Sequence, residues 1–238
     1  MYRSLDSEKI IQTIGQLRDR ISERFPNAGL ARVASELLQV AHEAVARATW
    51  TGKRNISLRI GIGILILLFL AIVVGVFATV RVSTAFNNFS DFIQAVDSSF
   101  NVIVLIGAGI FFLISLEIRL KRKKALKMLH ELRALAHIVD IHQLTKDPER
   151  IIKRGKDTSS SPIRTMTSLE LSRYLDYCSE MLSLIGKLAA LYAQHFDDPI
   201  VLEAVDEIED LTIGLSRKIW QKISIVTQSR IAKLDEID

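Results

Sequence analysis

The chain has 238 residues, a formal net charge of +4 and a hydrophobic fraction of 49%, and it contains a single cysteine. The lone cysteine excludes an internal disulfide and is typical of a reducing compartment. The average hydrophobicity conceals two long apolar runs, and the remaining residues are numerous enough for one modest helical domain.

Residues 1–56 predict an N-terminal cytoplasmic helical hairpin. Apolar residues recur every three or four positions from Ile10 to Phe25, and again from Leu30 to Ala48, the period of a helix that buries one face. The segment 26–29 (Pro-Asn-Ala-Gly) breaks the chain between the two helices. Both apolar faces need a partner surface.

Two uncharged runs predict a pair of membrane spans within residues 57–118. The first covers 21 residues, 60–80, and the second covers 19 residues, 98–116. At about 1.5 Å per residue, each run reaches about 30 Å, the thickness of the hydrocarbon core of a bilayer. The expected organisation is a pair of spans at about 58–81 and 98–118, with a short outer loop at 82–97. The first run begins too late to be a cleavable signal, so we expect it to stay in the protein.

Basic residues flank these runs on one side only. Lys53, Arg54 and Arg59 precede the first run and six basic residues follow the second, whereas 82–97 contains none. The positive-inside rule then places both termini in the cytoplasm, so we expect a protein integral to a bacterial-type inner membrane. The basic cluster is expected to contact anionic lipid headgroups, in preference to nucleic acid. Its members are Lys121, Arg122, Lys123 and Lys124.

Small residues recur every four positions in the first run, at Ala71, Gly75 and Thr79. Such a stripe lets two helices approach closely. It fits packing between the two spans of one chain. It also fits packing between protomers, so the stripe is consistent with a homo-oligomer.

The segment 119–156 is predicted to be a basic helical extension of the second span. No Pro or Gly occurs between Ile110 and Gln143, so one helix is expected to run from the span into the cytoplasm. The segment 146–148 (Lys-Asp-Pro) predicts a break before a short helix, and the polar stretch 154–167 predicts a linker.

Residues 157–238 predict a C-terminal cytoplasmic helical hairpin. Thr167 and Glu170 have the spacing of a capping box, and the apolar stripe that follows runs to Phe196. The segment 197–199 (Asp-Asp-Pro) predicts a tight turn and a new helix start. Two long stripes joined by so short a turn predict antiparallel packing. Cys178 falls on the first stripe, which indicates a buried small hydrophobe and not a reactive thiol.

Two clusters of side chains are candidate sites. His130, His137 and Asp140 lie on one helix face and suggest a metal site completed by another helix, a pH sensor, or structural hydrogen bonding. An acidic cluster on the last helix suggests a docking surface for a basic partner, or a solvated face. Its proposed docking residues are Glu203, Asp206, Glu207 and Asp210.

No hydrolase, nucleotide-binding or dinucleotide motif occurs in the sequence, so we expect no enzyme and no cofactor. The expected fold is all-α: a two-span transmembrane helical hairpin with a cytoplasmic helical bundle. The expected function is non-enzymatic, with the helical domain associating with itself or docking a protein partner. An oligomeric pore-forming effector and a metal- or pH-responsive membrane regulator are the alternatives.

Overall fold

The computed structural model describes residues 4–52, ten of the residues between 60 and 74, 89–146, 148, 159 and 166–235. Every regular element among these residues is an α-helix, so the predicted all-α class is confirmed. Five helices have defined bounds, and they are α1 (Ser7–Arg24), α2 (Gly29–Gly52), α3 (Phe89–Leu144), α4 (Ser168–His195) and α5 (Pro199–Asp235).

The helices α1 and α2 form the predicted N-terminal hairpin. Asp6 caps α1, because its carboxylate accepts hydrogen bonds from the backbone amides of Glu8 and Lys9 at 3.1 and 3.2 Å. Such a cap satisfies amides that have no partner within the helix. The apolar face of α1 is buried as its spacing predicted, and α2 begins at Gly29, directly after the predicted break.

The helix α3 is continuous over 56 residues, and the absence of Pro and Gly between Ile110 and Gln143 predicted this continuity for its second half. It begins at Phe89, nine residues before the predicted start of the second span. The segment 89–97 of the predicted outer connection is therefore helical, and Ser90 and the residues after it include no breaker. The predicted short helix after Pro148 and most of the predicted linker lie outside the described residues.

The helices α4 and α5 form the predicted C-terminal hairpin. The capping box is present: the amide of Glu170 donates to Thr167 Oγ1 at 3.3 Å, and the amide of Thr167 donates to Glu170 Oε2 at 2.8 Å. At the turn, Asp198 Oδ1 accepts the amides of Ile200 and Val201 at 3.2 Å each. Both boundaries follow from side chains that satisfy the first free amides of a helix.

The chain divides into two compact units. The first unit comprises 1–52 and 124–238, and its core is built from α1, α2, α4, α5 and the last part of α3. The helix α4 is central, because 14 of its 28 residues are buried, more than one apolar stripe can supply. Its neighbours α1, α2 and α5 all pack against it.

The second unit comprises 53–123 and includes the first part of α3. Large apolar side chains are exposed along that part, including Phe100 (64%), Leu105 (78%) and Phe111 (73%). Across the described residues, none of the helices is both long and apolar enough to cross a membrane. The two spans stay a prediction, and most of the first one lies outside the described residues.

Candidate functional site

A cavity of about 500 Å³ lies at one end of the first unit. We call it the end cleft. Three separate pieces of chain meet there: the turn between α1 and α2, the C-terminal end of α3, and the start of α4. It is lined by Phe25, Pro26, Asn27, Ala28, Gly29, His142, Thr145, Lys146, Met166, Glu170 and Tyr174.

Aromatic side chains form one wall of the end cleft. The ring of Phe25 meets Tyr174 edge-on, with centroids 5.5 Å apart and an interplanar angle of 74°. Lys146 Nζ lies 5.3 Å from the Tyr174 centroid, within the range of a cation–π contact. Burial raises the pKa of Tyr174 far above its ordinary value, so the phenol stays neutral. The wall therefore presents an apolar surface with a fixed positive charge over it.

The imidazole of His142 is a second titratable group whose pKa the surroundings of the end cleft change. Burial lowers the pKa of His142, and the positive charges of Lys146 and Arg32 lower it further. The ring also fills the space beside Gly29, where the Cβ of any other residue would overlap it. At neutral pH this side chain is therefore a neutral imidazole, able to donate and to accept one hydrogen bond.

Glu170 contributes a carboxylate to the same cleft. Hydrogen bonds from the backbone and side chain of Thr167 lower the pKa of Glu170, because they stabilise the ionised form. The end cleft thus combines a carboxylate, a cation and a neutral imidazole. Hydrogen bonding and charge pairing with a small polar molecule are the chemistry that this set allows.

A second cavity, of about 450 Å³, is lined by Ala46, Arg47, Lys124 and Lys127. We call it the basic cleft. Arg47 comes from α2, and Lys124 and Lys127 lie one turn apart on α3. Arg47 Nη2 is 2.8 Å from Glu43 Oε2. All four lining residues belong to the first unit.

A smaller groove of about 240 Å³ runs between α3 and α5. It brings His130 and Arg133 together with two of the predicted docking residues, Glu203 and Glu207. Arg133 Nη1 and Glu207 Oε2 are 2.9 Å apart, so one carboxylate of the acidic cluster already pairs with a basic residue of the same chain. Asp206 and Asp210 are exposed.

The predicted metal set is placed on the last part of α3. His130 and His137 are exposed, and Asp140 accepts a hydrogen bond from Gln143 Nε2 at 2.6 Å. Among the residues that the structure describes, no three His, Cys, Asp or Glu side chains are arranged to hold a metal ion. The hydrogen bond of Asp140 agrees with the structural alternative.

The predicted lipid-contact residues differ in exposure. Lys123 and Lys124 are exposed and Arg122 is half-buried. Lys121 is 8% exposed, and its Nζ lies 3.0 Å from Glu117 Oε1. Lys121 is therefore engaged with a carboxylate one turn away on the same helix. In the small-residue stripe, Ala71 is helical and exposed, and Gly75 and Thr79 lie outside the described residues.

Both clefts combine residues that are far apart in the sequence, so no local motif predicts them. The break at Pro26 was visible as a chain reversal, and Lys146 was visible as the start of a second break. Their proximity depends on how α1, α3 and α4 pack. The chain matches no protein-family model, no curated protein and no solved structure.

Proposed function

We propose that this protein is a non-enzymatic, membrane-anchored helical domain. Two spans, at about 58–81 and 98–118, hold it in the membrane with both termini in the cytoplasm. The cytoplasmic helices associate with a second copy or dock a protein partner. The anchoring and the association rest on different observations, and each has its own test.

The exposed apolar surface of α3 carries the anchoring proposal. Phe100, Leu105, Phe111 and Phe112 are between 61% and 78% exposed, and they belong to a run of 19 residues without charge. Large apolar side chains that are exposed together mark an interaction with lipid or with protein. A helix satisfies its own backbone hydrogen bonds, so it can enter hydrocarbon with little polar cost.

The charges at the end of this run support the proposed orientation. The first acidic residue after the run, Glu117, pairs with Lys121, so its charge is compensated. Arg122, Lys123 and Lys124 follow, whereas 82–97 contains neither Lys nor Arg. The excess of basic residues on one side is what retains that side in the cytoplasm.

The outer surface of α5 supports the association proposal. Ile213 and Trp220 are 49% and 58% exposed and lie seven residues apart, so they share one face of the helix. Exposed tryptophan is frequent at the centre of protein interfaces. The acidic residues Asp206 and Asp210 lie earlier on the same helix and would favour a basic partner surface.

Membrane insertion is tested by expressing the full chain in bacteria and extracting the membranes with alkaline carbonate. We expect the chain to stay in the pellet. Leu105→Arg should release a substantial part of it, because a central Arg costs about 2.5–3.5 kcal/mol on insertion. Leu120→Arg, at an exposed apolar position beyond the run, is the matched control and should behave like the wild type. Release of the wild type would overturn the anchoring.

Orientation is tested by labelling with a membrane-impermeant maleimide. The background is Cys178→Ala, and Asn88→Cys introduces a thiol in the predicted outer segment. We expect labelling of intact spheroplasts at this position. A thiol introduced by Ser224→Cys, at an exposed position on α5, should react only after the membrane is permeabilised. The reverse pattern would contradict the proposed topology.

Association is tested by the mass of the purified chain in nanodiscs or detergent. A self-associating domain gives a multimer that Trp220→Glu shifts toward the monomer, whereas Lys218→Glu, at an exposed polar position away from the Ile213–Trp220 face of the same helix, leaves it unchanged. If the wild type is a monomer, self-association is wrong, and docking of a different protein is the remaining form of the association proposal. Release of dye from liposomes would instead favour the pore-forming alternative.

A further inference from the structure

The basic cleft gathers three cations from two helices around one cavity. Lys124 and Lys127 are three residues apart on α3, so their side chains share a face. Arg47 approaches from α2. The cavity volume of about 450 Å³ falls within the range of about 300–1,000 Å³ that is usual for small-molecule sites.

One carboxylate beside the basic cleft, that of Glu131, makes only long contacts with two of its cations. Glu131 lies 3.9 Å from Arg47 Nη1 and 4.0 Å from Lys127 Nζ, at the outer limit of an ion pair. The side chain of Lys127 is 72% exposed and that of Glu131 is 36% exposed, and such pairs contribute between about 0 and 1 kcal/mol. A dianionic or monoanionic oxyacid can therefore displace Glu131 while Glu43 keeps its shorter contact with Arg47.

The walls of the basic cleft suit an amphipathic ligand. The methyl group of Ala46 and the aliphatic stems of the lysines are apolar, and their charged ends reach outward. Guanidinium binds phosphate oxygens through two parallel hydrogen bonds, and ammonium adds a compact positive charge. A phosphate ester that carries an apolar part is thus the ligand class that matches both features.

The position of the basic cleft along the chain points to the source of that phosphate. Lys124 follows the last residue of the second uncharged run, Leu116, by eight positions, and Arg47 precedes the first run by thirteen. Both positions are therefore close in sequence to the predicted spans. In a membrane-anchored chain, these stretches are the ones that stand nearest the headgroups of the inner leaflet.

We propose that the basic cleft is a specific site for the phosphate of an anionic phospholipid, held by Arg47, Lys124 and Lys127. The inference rests on the proposed membrane anchoring. It differs from a general attraction of the cluster 121–124 to a charged surface, because it assigns one lipid to one cavity. It also gives Arg47, which lies outside that cluster, a direct role.

The inference is tested on the full chain in nanodiscs of phosphatidylcholine to which phosphatidylglycerol is added in steps. Native mass spectrometry of the released protein counts the phosphatidylglycerol that stays bound. We expect one tightly held molecule in the wild type. The double variant Arg47→Gln, Lys127→Gln should bind it about 30-fold more weakly, since two basic groups each contribute about a factor of five.

The matched control is Arg217→Gln, Lys218→Gln, which removes one arginine and one lysine from exposed positions on α5. It should retain the lipid as the wild type does, and an equal loss in both double variants would overturn the site in favour of diffuse surface charge. If the cleft variant fails to fold, Lys127→Gln alone serves, because that side chain is mostly exposed. Its lipid affinity should fall about fivefold, and an unchanged affinity overturns the assignment.

Two further outcomes separate this inference from the proposed function. A chain that inserts into nanodiscs but retains no phosphatidylglycerol would overturn the lipid site and leave the anchoring intact. A chain that does not insert at all would overturn the anchoring itself. Displacement of the lipid by millimolar inorganic phosphate would identify the cleft as a site for free phosphate and would overturn the lipid assignment.

Discussion

The phenol of Tyr192 donates a hydrogen bond to the backbone carbonyl of Ala44 at 3.2 Å in the interior of the first unit. Tyr192 and Ala44 are both fully buried, so water cannot replace either partner. The contact joins α4 to α2 across 148 residues of sequence. Because a buried polar group is costly when unpaired, this bond specifies one rotation of α2 against α4.

Tyr192→Phe should lower the free energy of unfolding by about 1 kcal/mol, the usual net value of one hydrogen bond. Tyr192→Ala should cost about 3–5 kcal/mol, because it also leaves a cavity where the ring was. Urea unfolding of the full chain in detergent, followed by circular dichroism, measures both. Ser224→Ala, which removes an exposed hydroxyl from α5, is the control and should stay within about 0.5 kcal/mol of the wild type. A Phe variant as stable as the wild type would contradict the role given to the bond.

The sequence predicted the helices of the first unit because each one buries a periodic apolar face. It also predicted the two caps at Thr167 and Asp198, since capping depends on residues within one turn. The sequence underestimated how much of α4 is buried, because Tyr177, Leu184 and Leu191 are buried in addition to the predicted stripe. A helix that is covered on several sides depends on how many neighbours pack against it, and a single period does not contain that information.

The candidate sites were less accessible from the sequence for the same reason. The run 121–124 was visible as a charge cluster, yet the basic cleft combines Lys124 with Lys127 and with Arg47 of another helix. His142 belongs to neither of the predicted sites, yet the structure places it in the end cleft against Gly29. Each pairing depends on the register between helices, which neighbouring residues in the chain do not set.

Two glycines in helices are expected to respond differently to alanine. Gly15 has open space around it, so Gly15→Ala should raise the free energy of unfolding by about 0.5–1 kcal/mol through helix propensity. At Gly186 a Cβ would lie 3.0 Å from Thr212 Oγ1, and that hydroxyl is buried and donates to the carbonyl of Glu209. Gly186→Ala should therefore raise the free energy of unfolding by less than Gly15→Ala does, or lower it.

Gly186→Val extends this comparison, because its two methyl groups cannot avoid Thr212. It should be the least stable of the three variants, by about 1–3 kcal/mol, as expected for an overpacked core. Adding Thr212→Ala should recover part of that loss by removing the hydroxyl. Equal stability of Gly15→Ala and Gly186→Ala in urea unfolding would show that α4 and α5 are not in close contact there.

Acid should weaken the first unit through His142. Burial and the charges of Lys146 and Arg32 lower the pKa of His142 below 6.5, so the folded chain binds this proton less readily than the unfolded chain. The free energy of unfolding therefore falls as the pH drops below about 6.5. His142→Gln should flatten that dependence in urea unfolding between pH 7.5 and 5.5. An unchanged slope in His142→Gln would refute the assignment.

Cys178 should be almost inert in the folded chain. Burial raises the pKa of its thiol from 9.0 to about 12, and the attacking species is the thiolate. At pH 8 the thiolate fraction is then about a thousandfold smaller than in an unfolded chain, so a soluble disulfide reagent should react fully only after denaturation. The folded state also keeps this proton as the pH rises, so its contribution to stability is present below pH 9 and is lost toward pH 12. Urea unfolding between pH 8.5 and 10 should show a decline in the wild type that is smaller in Cys178→Ala. Rapid modification of the native chain at pH 8 would mean that α4 is not the covered centre of the bundle.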